Sequence, residues 1–379
     1  FYGWDYYALE YAYKGPGNSS WTKTVVHDQG NHLIGYSTSI AVDNSNRPHI
    51  AYLDGGNYDL EYSYLTSSNQ WITRTTVTPA TTGYYPSIAV GDNGDVFFAY
   101  HDASYSDLDF AVIRTGAPTT ETVAALGSHA YGLGFSVDSG GSPHLSTYNG
   151  SDSAGSLQYV TKSGEAWSVQ TVDQSSTMTG LHSDIDLDSE GNPHISYVDG
   201  TNGLLRYAHH DGASWSTSTV DASGVVVGYT SIVVDLDGHP RISYNDGSLK
   251  LAVWNGSSWE LTSQDAGSVE GSDILVARDG ITRIGYFDDA ASDLEFVLAG
   301  HDSPLVMGNS VGAQGISSAG TSLNGNSTGI ASLSLGETHG CAVISSVVKC
   351  WGKDDGTGNL GRDGGTNYAF PASVYDAFT

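Results

Sequence analysis

The chain has 379 residues, of which 42 are acidic and only 14 basic, for a net charge of −28. A surface so poor in Lys and Arg cannot displace the counterions of a phosphate backbone, so nucleic acid is excluded as a partner, and docking on anionic lipid is disfavoured for the same reason. No apolar run reaches the roughly 18 residues of a helical span, so no membrane insertion is expected.

Apolar residues at 39% suffice for a core, and 48 Gly with 24 Tyr suit many turns between half-buried strands. In chain order, residues 1–26 carry Leu9, Tyr11 and Trp21, which return as Leu60, Tyr62 and Trp71 in NYDLEYSYLTSSNQWITRTTV. The opening piece therefore holds the third and fourth strands of a repeat without its first two, and its start reads as processed or truncated. Complete repeats follow at about 36–77, 84–123, 131–172, 181–220 and 229–264, and a seventh at about 271–299 has three strands. The second-strand tyrosines fall at Tyr52, Tyr100, Tyr148, Tyr197, Tyr244 and Tyr286, and the third-strand leucines run from Leu9 and Leu60 to Leu294. Self-similarity at roughly 40–50 residues, carried by short strands with period-two alternation, is the mark of a blade-repeat architecture.

Each repeat joins its first two strands by a short polar turn (DNSNRP, GDNGD, DSGGSP, DSEGNP, DLDGHP), with Pro placed where its missing N–H breaks no ladder bond. The fourth strands open on Trp21, Trp71, Trp167, Trp215 and Trp259, whose indoles are expected to pack between neighbouring blades. Two strands, five sets of four and a set of three make 25, where seven complete blades need 28. An unpaired inner strand would leave an open edge, so the tail must fill the gap. There IASLSLG (330–336), CAVISS (341–346) and VVKCWG (347–352) are strand-like.

The expected fold is all-β: a seven-bladed β-propeller of four-stranded antiparallel blades with a C-terminal strand-bearing tail. Residues 1–303 form the propeller. Residues 304–379 form a Gly/Ser-rich linker and a strand segment that completes the first blade, in cis or in a neighbouring subunit.

Two resemblances bear on this. The run SLSLGETHGCAVISSVVKCWGKDDGTGNLG, with Gly336, His339, Cys341, Cys350, Trp351 and Asn359-Leu360-Gly361, resembles one regulator-of-chromosome-condensation-type repeat, itself a propeller blade. Only one copy is present, and no nuclear role is implied. The 36–299 repeats resemble secreted prokaryotic propeller repeats of the SIAVD…PHIAYxD kind, which implies fold more than activity.

The loop after the second strand opens on the face that usually holds ligands, so the candidate binding crown is Tyr52 and Asp54, Tyr100 and Asp102, Tyr197 and Asp199, Tyr244 and Asp246, and Tyr286 and Asp288. Carboxylates there suit Ca²⁺ and tyrosines suit sugar rings; alternatively each Asp caps its own Gly-rich turn. His49, His144 and His194 open second strands and read as packing residues, whereas His101, His129, His182 and His209-His210 fall off the pattern, scattered over several repeats. Asp-Leu-Asp-Gly at 235–238 and Asp-Asn-Gly-Asp at 92–95 lack the full calcium-loop spacing. No P-loop, Gly-x-Ser-x-Gly or sialidase-type Asp box is present, and no catalytic residue is assigned.

Cys341 and Cys350 are read as a cross-strand disulfide, which places the chain in an oxidising compartment, extracellular or at the cell surface. The triplets at Asn18, Asn149, Asn255 and Asn326 are candidate glycosylation sites that agree with this. Three functions compete. The first is a structural or adhesive protein, with itself as partner if the tail inserts into the next subunit and propagates a head-to-tail filament. The second is a lectin-like propeller, calcium-assisted or not, that takes surface glycans. The third is a polysaccharide-active enzyme, for which the chain offers few clustered residues; no enzyme is expected.

Overall fold

The computed structural model describes residues 8–13, 22–28, 34–299 (apart from the loop residues 57, 78–81, 103–106, 115, 126–131, 152, 227, 266–268, 277–279 and 289–292), 339–344 and 347–353. These are all strand and turn. The strands form six four-stranded antiparallel sheets and one three-stranded sheet, and sequence-adjacent sheets lie side by side as the blades of a β-propeller. The four-stranded blades at 34–77, 82–125, 133–173, 179–221 and 231–263 each run first to fourth strand in chain order, and Val269–Val276, Thr282–Asp288 and Asp293–Ala299 make the three-stranded sheet. In the remaining sheet, Thr22–Asp28 pairs with Ala8–Tyr13, which pairs with Val347–Lys353, which pairs in turn with His339–Ile344. Of the three strand-like stretches expected in the tail, 330–336 lies outside the described residues.

The turn between first and second strands follows from one carboxylate. Asp43 accepts the N–H groups of Ser45 and Arg47 at 2.8 and 2.9 Å, and Asp138, Asp188 and Asp235 repeat this two and four residues on. The residue three after each Asp is left-handed: Gly141, Gly191, Gly238, or Asn46 with φ 59°. Such an Asx turn satisfies donors the ladder cannot reach. The Asp-Leu-Asp-Gly stretch at 235–238 is therefore a turn of this kind.

The period-two alternation expected of second strands is absent at Pro48–Asp54 and Pro193–Asp199, where all seven residues are buried. Each blade is covered on both faces by its neighbours, so no face of these strands meets water. The fourth strands, at the rim, are mostly exposed. The core accordingly lies between blades: Ala51, Leu60 and Tyr62 of one blade cluster with Ile88, Phe98 and Tyr100 of the next. The tryptophans pack as expected. Trp71 meets Tyr11, Trp167 meets Phe110, Trp215 meets Tyr159 and Trp259 meets Tyr207, each edge-on at 5.1–5.2 Å to the third strand of the preceding blade. Trp21 lies outside the described residues. Close approach also fixes two glycines. A Cβ on Gly83 or Gly180 would stand 2.8 or 2.6 Å from the backbone of Leu60 or Leu157, the third-strand leucine of the preceding blade.

First strands line a central channel and have an open inner edge, and side chains of the preceding blade close it. Ser39 Oγ accepts Ile88 N–H, Asp184 accepts Ile232 N–H at 2.9 Å, Asp186 accepts Val234 N–H at 2.8 Å, and Ser231 Oγ accepts Ile274 N–H. Buried backbone donors are thereby satisfied without a further strand.

Candidate functional site

The crown expected at the end of the second strands is not a rim. Tyr52, Tyr100, Tyr197, Tyr244 and Tyr286 are all buried, as are Asp54 and Asp199. Four of their hydroxyls reach back to the outer strand of the preceding blade or the residues just after it. Tyr197 donates to Asp173 at 2.6 Å, Tyr244 to Asp221 at 2.8 Å, and Tyr286 to Asp265 at 2.5 Å, while Tyr52 meets His27 Nδ1 at 2.8 Å. Burial pushes the Tyr197 and Tyr244 phenols above their ordinary range, and the partner carboxylates reinforce this. The aspartates serve their own turns: Asp54 accepts Gly56 N–H, Asp199 accepts Thr201 N–H and the Ser176 hydroxyl, Asp102 accepts Asp107 N–H, and Asp246 accepts the Ser248 hydroxyl. The side chain of Asp288 lies outside the described residues. No three of these carboxylates come together as cation ligands among the described residues. The turn-capping alternative is the one the geometry supports, because an Asp that opens such a turn finds acceptor work within five residues.

The histidines that open second strands belong to a repeated relay. His49, His144 and His194 each set Nδ1 against a third-strand tyrosine hydroxyl, Tyr62, Tyr159 and Tyr207, at 2.5–2.6 Å. Each sets Nε2 3.6–3.7 Å from the turn aspartate, Asp43, Asp138 or Asp188. Arg241 takes the same slot with an ion pair to Asp235 at 2.9 Å. Burial works against the charge on Asp43, yet the neighbouring His49 and hydrogen bonds from Arg47 and the backbone hold its carboxyl well below the usual carboxylate range. Burial, and then the neighbouring His209, pull His194 down to about 4.

Of the off-pattern histidines, His182 lies at the channel, among first-strand residues that differ from blade to blade, whereas His101, His209 and His210 do not line it. Ser37, Tyr85, Gly132, His182 and Tyr229 stand two positions before Ser39, Ser87, Gly134, Asp184 and Ser231 in successive first strands, and all line one mouth of it, a cavity of about 160 Å³. Ser37, Tyr85 and His182 hold left-handed backbone, with φ of 42°, 49° and 51°. The strand register slips at each of them, which marks a β-bulge. Glycine is the residue that adopts this conformation without strain, and Gly132 does so in its own blade with φ 91°. A tyrosine and a histidine therefore sit at the mouth against a backbone preference of about 1–2 kcal/mol each.

Below these rings Asp184 and Asp273 face the channel, bridged by Ser231 Oγ, which lies 3.0 Å from one and 2.6 Å from the other. Burial raises both carboxyls, and Asp184 raises Asp273 further. Burial, reinforced by the charges of Asp184 and Asp188, takes Asp186, deeper in the channel, up to about 7, and burial takes His182 down to about 4. His182 and Tyr229 meet edge to face at 4.7 Å. The mouth thus offers neutral rings, hydroxyls from Ser37, Thr38, Ser87 and Thr230, and carboxyl oxygens. Such a surface can hydrogen-bond and stack on an uncharged polyol; it holds no fixed positive charge. Sequence reasoning noted His182 only as off-pattern. Aligning the repeats on the first strand, where Gly alternates with large rings at one position, is the signal that finds this set.

Asn255 lies in an exposed turn and Asn149 is half-buried in the strand Pro143–Ser151; Asn18 and Asn326 lie outside the described residues. Cys341 and Cys350 are Cα partners across their hairpin, and their side chains lie outside the described residues.

No protein-family model matches the chain, and no curated protein matches it. Among solved structures it is similar to a catalytically inactive virginiamycin B lyase from Staphylococcus aureus, with TM-score 0.52 and 10% identity over 91% of this chain and 99% of that one. It is similar to a Hadza microbial sialidase, with TM-score 0.51 and 13% identity over 75% and 70%. The fucose-recognising six-bladed propeller lectin of Aleuria aurantia follows at TM-score 0.47 and 13% identity over 70% and 95%. At such identities the first two likenesses carry the β-propeller fold alone.

Proposed function

We propose that this chain is a carbohydrate-binding propeller whose ligand seats at the bulged mouth of the central channel. One observation carries the reading: Tyr85 and His182 occupy left-handed positions that glycine would fill more cheaply, and both line the mouth together with Tyr229. Strained backbone at a cavity is retained where the side chain has work to do. Rings with convergent hydroxyls and carboxyl oxygens are what a neutral sugar requires. The test is retention on a panel of immobilised glycans by the native chain and by Tyr85→Gly, His182→Gly and Tyr229→Ala. Binding that vanishes in folded variants supports the proposal; a native chain retained by no glycan sinks it.

A second reading concerns the ends of the chain. The antiparallel pairing of Ala8–Tyr13 with Val347–Lys353 supports a seven-bladed ring in which the tail supplies the inner strands of a half-built first blade. The same pairing made between chains would propagate the head-to-tail filament of a structural or adhesive surface protein, and the opposed Cys341 and Cys350 would lock the donated hairpin outside the cell. Native mass across a concentration series separates the two arrangements: a constant monomer fits closure within one chain, and open-ended growth fits the filament.

A further inference from the structure

We propose a divalent transition-metal site in the 179–221 blade, formed by Asp188, His194 and His209 and independent of the channel. The candidate donor atoms of these three side chains lie within 4.8 Å of one another. Two of them come from the repeated relay and the third does not. In register, His49 faces Tyr64 and His144 faces Thr161, but His194 faces His209, with ring centroids 4.2 Å apart. Among the described residues, this blade alone adds a second imidazole to an Asp–His pair.

His194 is 3% exposed, and its Nε2 has no hydrogen-bond partner. Asp188 Oδ2 stands 3.7 Å from it, beyond hydrogen-bond reach. A buried imidazole nitrogen aimed at a carboxylate and a second imidazole is a ligand set missing its ion. The outer contacts fit as well. Nδ1 of His194 lies 2.6 Å from Tyr207 Oη, the partner that would hold the proton on Nδ1 and leave the Nε2 lone pair for metal. Asp188 is fixed by the backbone of Glu190 and Asn192 and by the Asn192 side-chain amide. Rotation of the half-buried His209 ring closes the set. Two imidazoles and one carboxylate suit Zn²⁺ or Co²⁺ over Ca²⁺, which takes six or more oxygens, and water completes the tetrahedron.

The experiment titrates Co²⁺ into the full chain in a non-chelating buffer, following the visible absorption of the bound ion, with Zn²⁺ stoichiometry measured after dialysis. One equivalent per chain is expected, because the His49 and His144 relays lack the third ligand. His209→Tyr and His209→Thr, which install residues the other relays already tolerate, should weaken binding at least about tenfold, as should Tyr207→Phe. Asp188→Asn, which keeps an acceptor for the turn, should do the same. No saturable binding, three equivalents per chain, or undiminished affinity in a folded His209→Thr protein each overturns the site.

Discussion

The wedge between blades and the mouth of the channel are built from one repeat, yet they treat departures from it in opposite ways. In the wedge the second-strand tyrosine recurs at Tyr52, Tyr100, Tyr148, Tyr197, Tyr244 and Tyr286, buried each time. At Tyr52, Tyr148, Tyr197, Tyr244 and Tyr286 the hydroxyl is spent on the protein's own side chains and backbone. At the mouth the position held by Ser37, Tyr85, Gly132, His182 and Tyr229 changes in nearly every blade, while the backbone bulge recurs at Ser37, Tyr85 and His182. A residue that every blade needs for packing cannot also be varied to suit a ligand. Recurrence in this molecule marks structure, and the places that break it, His182 and His209 among them, are where chemistry has room.

That contrast is open to direct attack. The largest effect belongs to the wedge: Tyr197→Ala should lose about 3–5 kcal/mol in urea unfolding, because it opens a cavity against the neighbouring blade. A loss below about 1 kcal/mol would mean that the clasp is not structural. Next is the pH dependence set by buried His101, whose pKa burial pulls from 6.5 to about 4. As pH falls below 6.5 the unfolded chain binds this proton and the folded chain refuses it. Stability is therefore full above that pH and drains by about 3 kcal/mol on the way to pH 4. Asp186 works in the other sense, since its raised pKa penalises the fold as pH climbs towards 7. The decisive measurement is thus the difference between the native chain and His101→Phe at pH 7, 5 and 4, which should shrink steadily on acidification. Smaller again is Tyr197→Phe, at about 1–3 kcal/mol, since it leaves Asp173 short of a buried donor. Smallest, and of opposite sign, is the mouth. Tyr85→Gly and His182→Gly should leave stability unchanged or raise it by up to about 1 kcal/mol, and a clear loss in both would return those rings to the scaffold.

Much of this was legible in the residues. The Tyr and Leu series placed the blades, the Asp-x-x-Gly turns placed the first hairpins, and the tryptophans announced fourth strands that do pack against the preceding blade. The missing inner strands of the opening repeat and the strand-like tail were visible as complementary deficits, and the pairing of Ala8–Tyr13 with Val347–Lys353 supports the proposal that one fills the other. The crown was misplaced because a sequence shows which residues end a strand, not whether the next blade covers them. His194 and His209 lie fifteen positions apart and look scattered until antiparallel register sets them opposite each other.

Alone, the order of residues determined the period, the strand count and the turn chemistry, because these depend on contacts within a few tens of residues and on backbone preferences that each residue carries with it. Which faces are buried, which carboxylates close the neighbouring edge and which rings meet at the mouth were decided only when separate blades came together. Those properties belong to surfaces made by two or more repeats, and no single repeat encodes them.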